Sequence, residues 1–81
     1  MREELEKWAE ESEVDLLFMD GHDNAILGLG RQFNNFAVMY SRKKILDNLS
    51  KYMNEEEAFE FYEFNIAGTF VGEATPMILE D

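Results

Sequence analysis

Residues Asn54 to Pro76, NEEEAFEFYEFNIAGTFVGEATP, constrain the fold of this chain more than any other stretch. Asn54 followed three residues later by Glu57 is a capping-box pattern, in which each side chain answers the other's backbone N–H. Glu55, Glu56 and Glu57 place negative charge where the helix dipole is positive. The spacing therefore predicts a helix that begins after Asn54 and closes at Gly68. At about 100° per residue its apolar side chains fall on two arcs rather than one. Ala58, Phe59, Tyr62 and Ile66 form the first arc, and Phe61 and Phe64 the second, with Glu56, Glu60 and Glu63 between them. A helix with one apolar arc needs one packing surface. A helix with two is either sandwiched or offers the second arc to another molecule.

The residues before it must supply that packing surface. Arg2–Ser12 reads as a helix with a narrow stripe of Leu5, Trp8, Ala9 and Ser12, supported by a Glu3–Lys7 pair. Val14–Met19, Ala25–Gly30 and Phe36–Tyr40 read as strands, separated by turn residues at Asp20-Gly21 and Asn34-Asn35. Joined in order, they predict a three-stranded antiparallel meander. Gly28 and Gly30 remove side chains from one face of it, so another backbone or a large ring can approach closely. Both faces of these strands carry apolar residues, the pattern of a sheet covered on both sides. The helices after the sheet cover one face, leaving the other to the first helix or to a second copy of the chain. Ser41 is suited to cap a helix over Arg42–Met53 whose core face is Ile45, Leu46, Leu49, Tyr52 and Met53. Arg42, Lys43 and Lys44 crowd its first turn, where the dipole disfavours cations, and read as a solvated patch paired with nearby acids. Met77–Leu79 reads as a closing strand, with Pro76 at its start or on an edge. The expected fold is a small single α+β domain over residues 1–81: N-terminal helix, antiparallel meander, two consecutive helices and a C-terminal strand.

Charge and composition exclude several functions. Eighteen acidic against seven basic residues give a net charge of −11, which argues against direct binding to nucleic acid. The chain has no cysteine, so no disulfide, thiol nucleophile or thiolate metal site. No apolar run approaches the ~18 residues of a membrane span, and no secretory segment opens the chain, so a soluble, cytoplasmic protein is expected. His22 is the one histidine, set between Asp20 and Asp23. Asp-Gly-His-Asp-Asn lacks calcium-loop spacing and reads as a polar turn rather than an acid/base or metal site. Gly-Leu-Gly-Arg-Gln-Phe lacks the third glycine of a dinucleotide fingerprint. No catalytic residue, cofactor or metal site is therefore expected. The candidate site is a partner-binding one: Phe61 and Phe64 rimmed by Glu57, Glu60 and Glu63, with the Gly72-Glu73 turn behind them.

Three stretches carry a resemblance. They are D-G-x-D-x-A-I-x-G over Asp20–Gly28, Val38-Met39-Tyr40, and E-E-A-x-E-x-x-E-F-N-I-x-G-x-x-V-G-E-x-T-P over Glu56–Pro76. They resemble a family of small, mostly uncharacterised bacteriophage-encoded proteins, and the likeness runs from Asp20 to Leu79, about three quarters of the chain. Ser41 departs from the acid common at that place in the pattern. The resemblance implies a phage origin and expression inside a bacterial host, and it brings no catalytic residue with it. Residues and resemblance together lead us to expect a non-enzymatic accessory protein acting by protein–protein contact in the host cytoplasm, with room for a homodimer. Two alternatives stand beside it: an acidic nucleic-acid mimic that occupies the basic cleft of a host defence or transcription protein, and a minor virion component.

Overall fold

Asn35–Ser41 is the most buried run in the chain, and it becomes the central strand. The computed structural model describes residues Met1–Asp81 as α1 (Arg2–Ser12), a 3₁₀ turn (Asp23–Ala25), β1 (Ile26–Gln32), β2 (Asn35–Ser41), α2 (Arg42–Leu49), α3 (Glu55–Tyr62), a π-helical turn (Glu63–Ala67) and β3 (Met77–Leu79). The sheet order is β1-β2-β3. β1 pairs antiparallel with β2, placing Leu29 opposite Val38 and Gly30 opposite Ala37, with a bulge between Ile26 and Gly28. β3 pairs with β2 in parallel, Met39 opposite Met77 and Tyr40 opposite Ile78. The sheet is thus mixed, and the expected antiparallel meander is corrected to one hairpin plus a parallel third strand.

The correction traces to Val14–Met19. This segment is extended but pairs with no strand. Its burial alternates as expected, with Leu17 exposed between the half-buried Leu16 and Phe18. Such alternation marks any extended chain with one covered side, whereas a strand also needs a ladder partner. Glu13 ends α1 in the left-handed region at φ 56, and Val14 N–H donates to the Ala9 carbonyl at 2.9 Å. The chain then packs Leu16, Phe18 and Met19 against the core rather than joining the ladder of β1. It is tied there by Met19 N–H donating to the Tyr40 hydroxyl at 2.8 Å. Because Tyr40 is fully buried, Tyr40→Phe removes the acceptor without changing the shape of the core. We expect a loss of about 1–3 kcal/mol in urea unfolding with an unchanged m-value.

Val38 and Tyr40 point to one face of the sheet, where Ala25, Ile26, Ile45, Leu49, Ala58 and Tyr62 join them in a single apolar cluster. Leu5 packs against the same cluster, and Trp8 meets Phe36 edge-on at 5.1 Å between ring centroids. All three helices therefore share this face, so of the two covers expected for the other face, α1 or a second copy of the chain, α1 is not the one. The Arg2 guanidinium clasps α1 to the chain through Asp23 at 2.9 Å and over the Phe18 ring at 4.6 Å. Arg2 also pairs with Glu6 at 3.2 Å, in place of the expected Glu3–Lys7 pair. The opposite face, with Gly30, Ala37 and Met39, is covered by the Met77 thioether, whose sulfur would stand 2.6 Å from a Cβ on Gly30. Of the two strand glycines only Gly30 is closely approached, by this methionine rather than by the expected backbone or ring, and nothing lies within 4 Å of a Cβ placed on Gly28.

α2 begins as expected, with Ser41 Oγ accepting from Lys44 N–H at 3.2 Å. The acids that offset its basic first turn are the two residues that follow β3. Asp81 accepts from Ser41 Oγ at 2.5 Å and from Lys43 N–H at 2.8 Å, and Glu80 pairs with Arg42 at 3.0 Å. Those hydrogen bonds hold the Asp81 carboxyl below its ordinary range. The helix stops at Leu49, so Tyr52, expected on its core face, is 85% exposed. Thirteen of the 81 residues are buried, and none of the seven phenylalanines is among them. The aromatic rings of the core are Tyr40 and Tyr62 instead. The Tyr62 hydroxyl is buried without a hydrogen-bond partner, and burial first, then the nearby Glu80 carboxylate, pushes its pKa up to about 12.

A candidate contact face and an adjoining cleft

The Asn54–Glu57 capping box forms as its pattern predicts. Asn54 Oδ1 accepts from Glu57 N–H at 2.8 Å, and Glu57 Oε1 accepts from Asn54 N–H at 3.4 Å. α3 then buries Ala58 and Tyr62 one turn apart. Phe59, expected beside them in the core, is 44% exposed, with the Arg42 guanidinium 5.6 Å from its ring centroid. The first arc is therefore narrower than its residue types suggest. A π-helical turn follows, closed by Gly68 N–H donating to the Glu63 carbonyl at 3.1 Å. A Cβ on Gly68 would stand 2.9 Å from that carbonyl oxygen, so glycine is required by space and not by a left-handed cap. The wider turn keeps Ile66 packed on the core and leaves Phe64 outside it, 82% exposed. π-helical turns of this kind occur frequently at functional sites.

Phe61 and Phe64 line one groove of about 530 Å³ together with Glu57, Glu60, Asn65, Tyr52 and Met53. Glu57, Glu60, Phe61 and Phe64 are thus brought together among the predicted site residues. Glu63 is exposed on the same π-helical turn but does not line the groove. Gly72 and Glu73 lie apart from it. Gly72 takes φ 113, a left-handed conformation suited to glycine, in a turn closed by Thr75 Oγ1 donating to its carbonyl at 2.6 Å. Glu73 faces a separate shallow depression beside Asp15 and Phe36. Helical periodicity assigned the groove residues Tyr52 and Met53 to the core; Met53 does pack against the apolar cluster, whereas Tyr52 does not. The signal against it was the pairing of a helix cap at Asn54 with the preceding helix, which leaves Ser50–Met53 to form a turn.

A second, larger cleft of about 550 Å³ adjoins the groove, and Phe61 and Asn65 line both. Phe18 and Met19 of the extended segment, Leu49 of α2, Ile66 of the π-helical turn, and Val71 and Pro76 of the following loop give it apolar walls. His22 lines it and is held from behind. Asn48 Nδ2 lies 3.1 Å from His22 Nδ1, and the Asn24 and Asn48 side chains exchange hydrogen bonds of 3.0 and 2.7 Å. Asp23 is engaged by Arg2 and does not join His22. No group of three or more His, Asp or Glu side chains is arranged to hold a metal ion.

Burial lowers the His22 pKa below its ordinary 6.5. Unfolding restores the ordinary value and takes up a proton, so the unfolded chain binds more protons at mildly acidic pH. The contribution of neutral His22 to stability is therefore complete above pH 6.5 and declines as pH falls below it. His22→Gln is expected to flatten this part of the profile, as measured by urea melts at about pH 7.5 and about pH 5.5.

No helix is long and apolar enough to cross a membrane. No protein family, curated protein or solved structure matches the chain.

Proposed function

We propose that this is a non-enzymatic accessory protein that works by contact, its Phe61/Phe64 groove docking an apolar, basic segment of a partner protein. One observation carries the reading: Phe64 and Tyr52 are 82% and 85% exposed in a single groove edged by Glu57 and Glu60. A large exposed aromatic ring contributes about 150–250 Å² of burial when a partner covers it. Contiguous apolar surface with a polar rim is the usual anatomy of a binding site. The acidic rim and the net charge of −11 favour a cationic partner and speed its approach, while repelling phosphate backbones. The resemblance to phage-encoded proteins supports the cytoplasm of an infected bacterium as the setting and a host protein as the partner.

The test is affinity capture from host lysate with the native chain and with Phe64→Ala, alongside light scattering of the purified protein. Capture that depends on Phe64 supports the reading. A strict monomer that captures nothing overturns it. Capture that ignores Phe64 and weakens steeply with salt would favour nucleic-acid mimicry instead.

A further inference from the structure

The cleft beside the groove has a chemistry of its own. Its volume of about 550 Å³ lies within the range of small-molecule sites, and most of its lining is apolar. Five polar side chains reach it: Asp20, His22, Asn65, Thr69 and Thr75. Three of these are already engaged with backbone of their own segment. Asn65 Nδ2 donates to the Phe61 carbonyl at 3.2 Å, Thr69 Oγ1 to the Asn65 carbonyl at 3.0 Å, and Thr75 Oγ1 to the Gly72 carbonyl at 2.6 Å while accepting from Val71 N–H at 2.9 Å. His22 meets Asn48 through Nδ1, leaving its second ring nitrogen without a protein partner. Asp20 is the one carboxylate on the cleft, and it makes neither an ion pair nor a hydrogen bond within the chain.

We propose that this cleft binds a small organic cation, an apolar ring-bearing amine whose ring lies against Phe18, Met19 and Ile66 and whose ammonium pairs with Asp20. The apolar walls reward a ring, and the unpaired carboxylate rewards a positive charge at one end of it. His22 adds no opposing charge near neutral pH, because its burial keeps it unprotonated. The field of a chain with net charge −11 concentrates cations and excludes anions of the same shape. The site shares Phe61 and Asn65 with the proposed partner groove but not Phe64, so a change at Phe64 separates the two.

Tryptamine and indole-3-acetate, which share a ring and differ in charge, are the probes. Amide NMR titration of the isotope-labelled full chain reads both affinity and place. Tryptamine is expected to bind with a Kd on the order of 0.1 mM, as suits a ligand of this size on an open cleft. Its shifts should centre on Asp20–His22 and Asn65–Thr69, and indole-3-acetate should bind at least about tenfold more weakly. Asp20→Ser should reduce tryptamine binding about tenfold and remove the preference between the two probes, with unchanged circular dichroism. Phe64→Ala should leave tryptamine binding unaltered, so failure here and failure of the partner groove are separately visible. Equal or tighter binding of indole-3-acetate, no binding of either probe, shifts centred on Glu57 and Glu60, or an unaffected Asp20→Ser variant would each overturn the proposal.

Discussion

Phe64→Ala is expected to leave the fold intact while weakening partner binding by about 2 kcal/mol or more, roughly thirtyfold. The two effects separate because Phe64 is 82% exposed and contributes nothing to the buried cluster. Exposed substitutions of this kind change stability by about 0.5 kcal/mol or less. At an interface the same ring becomes an anchor, and truncating such an anchor removes apolar contact that its neighbours do not replace. Phe61→Ala is a less clean probe. That side chain is 42% exposed and lines both the groove and the cleft, so its loss disturbs two surfaces. Urea melts and titration of the captured partner, measured on the same variant, decide the matter. A fall in stability comparable to the fall in binding would show Phe64 to be a packing residue.

Ile45→Ala is expected to have the reverse profile, costing about 2–5 kcal/mol of stability. Ile45 is fully buried at the start of α2 and sits in a cluster of eight residues. A cluster so small has little capacity to collapse around a cavity. A domain of this size has only about 3–5 kcal/mol of net stability to lose. The variant should therefore be largely unfolded at 37 °C, and circular dichroism melting will show it. A melting temperature within a few degrees of the native value would mean that the core lies elsewhere, because about 1 kcal/mol shifts Tm by 4–8 °C in a domain this small.

These opposed outcomes reflect an uneven legibility in the sequence. The local elements could be read because their determinants are local. The Asn54–Glu57 box, the Ser41 cap and the helical spacing of Ile45 and Leu49 appear where their residues predict, and the β1–β2 hairpin forms with its turn at Phe33-Asn34 rather than at the expected Asn34-Asn35. Fold class followed from the same signals. Strand pairing did not. Val14–Met19 has the composition and alternation of a strand, but after the left-handed Glu13 it packs Leu16, Phe18 and Met19 on the core and leaves the free edge of β1 unpaired. Met77–Leu79 is too short to announce its direction, and its parallel pairing rests on the long return from the π-helical turn.

The candidate site was legible to the same extent. Two apolar arcs with glutamates between them could be counted from Asn54 to Ile66, and Phe61 and Phe64 do lie together with Glu57 and Glu60. The cleft could not be counted, because its lining is drawn from the extended segment, α2, the π-helical turn and the loop after it. Spacing along one helix relates residues a few positions apart, whereas Asp20 and Ile66 come to line one cleft only through packing. From the sequence by itself come the acidic charge, the caps, the hairpin and the doubly apolar helix. Tertiary structure alone decided that the core would hold tyrosines and leave every phenylalanine partly or fully outside. The physical reason is room: one face of a three-stranded sheet accepts Tyr40, Tyr62 and a few aliphatic side chains, and the remaining rings are displaced to the surface.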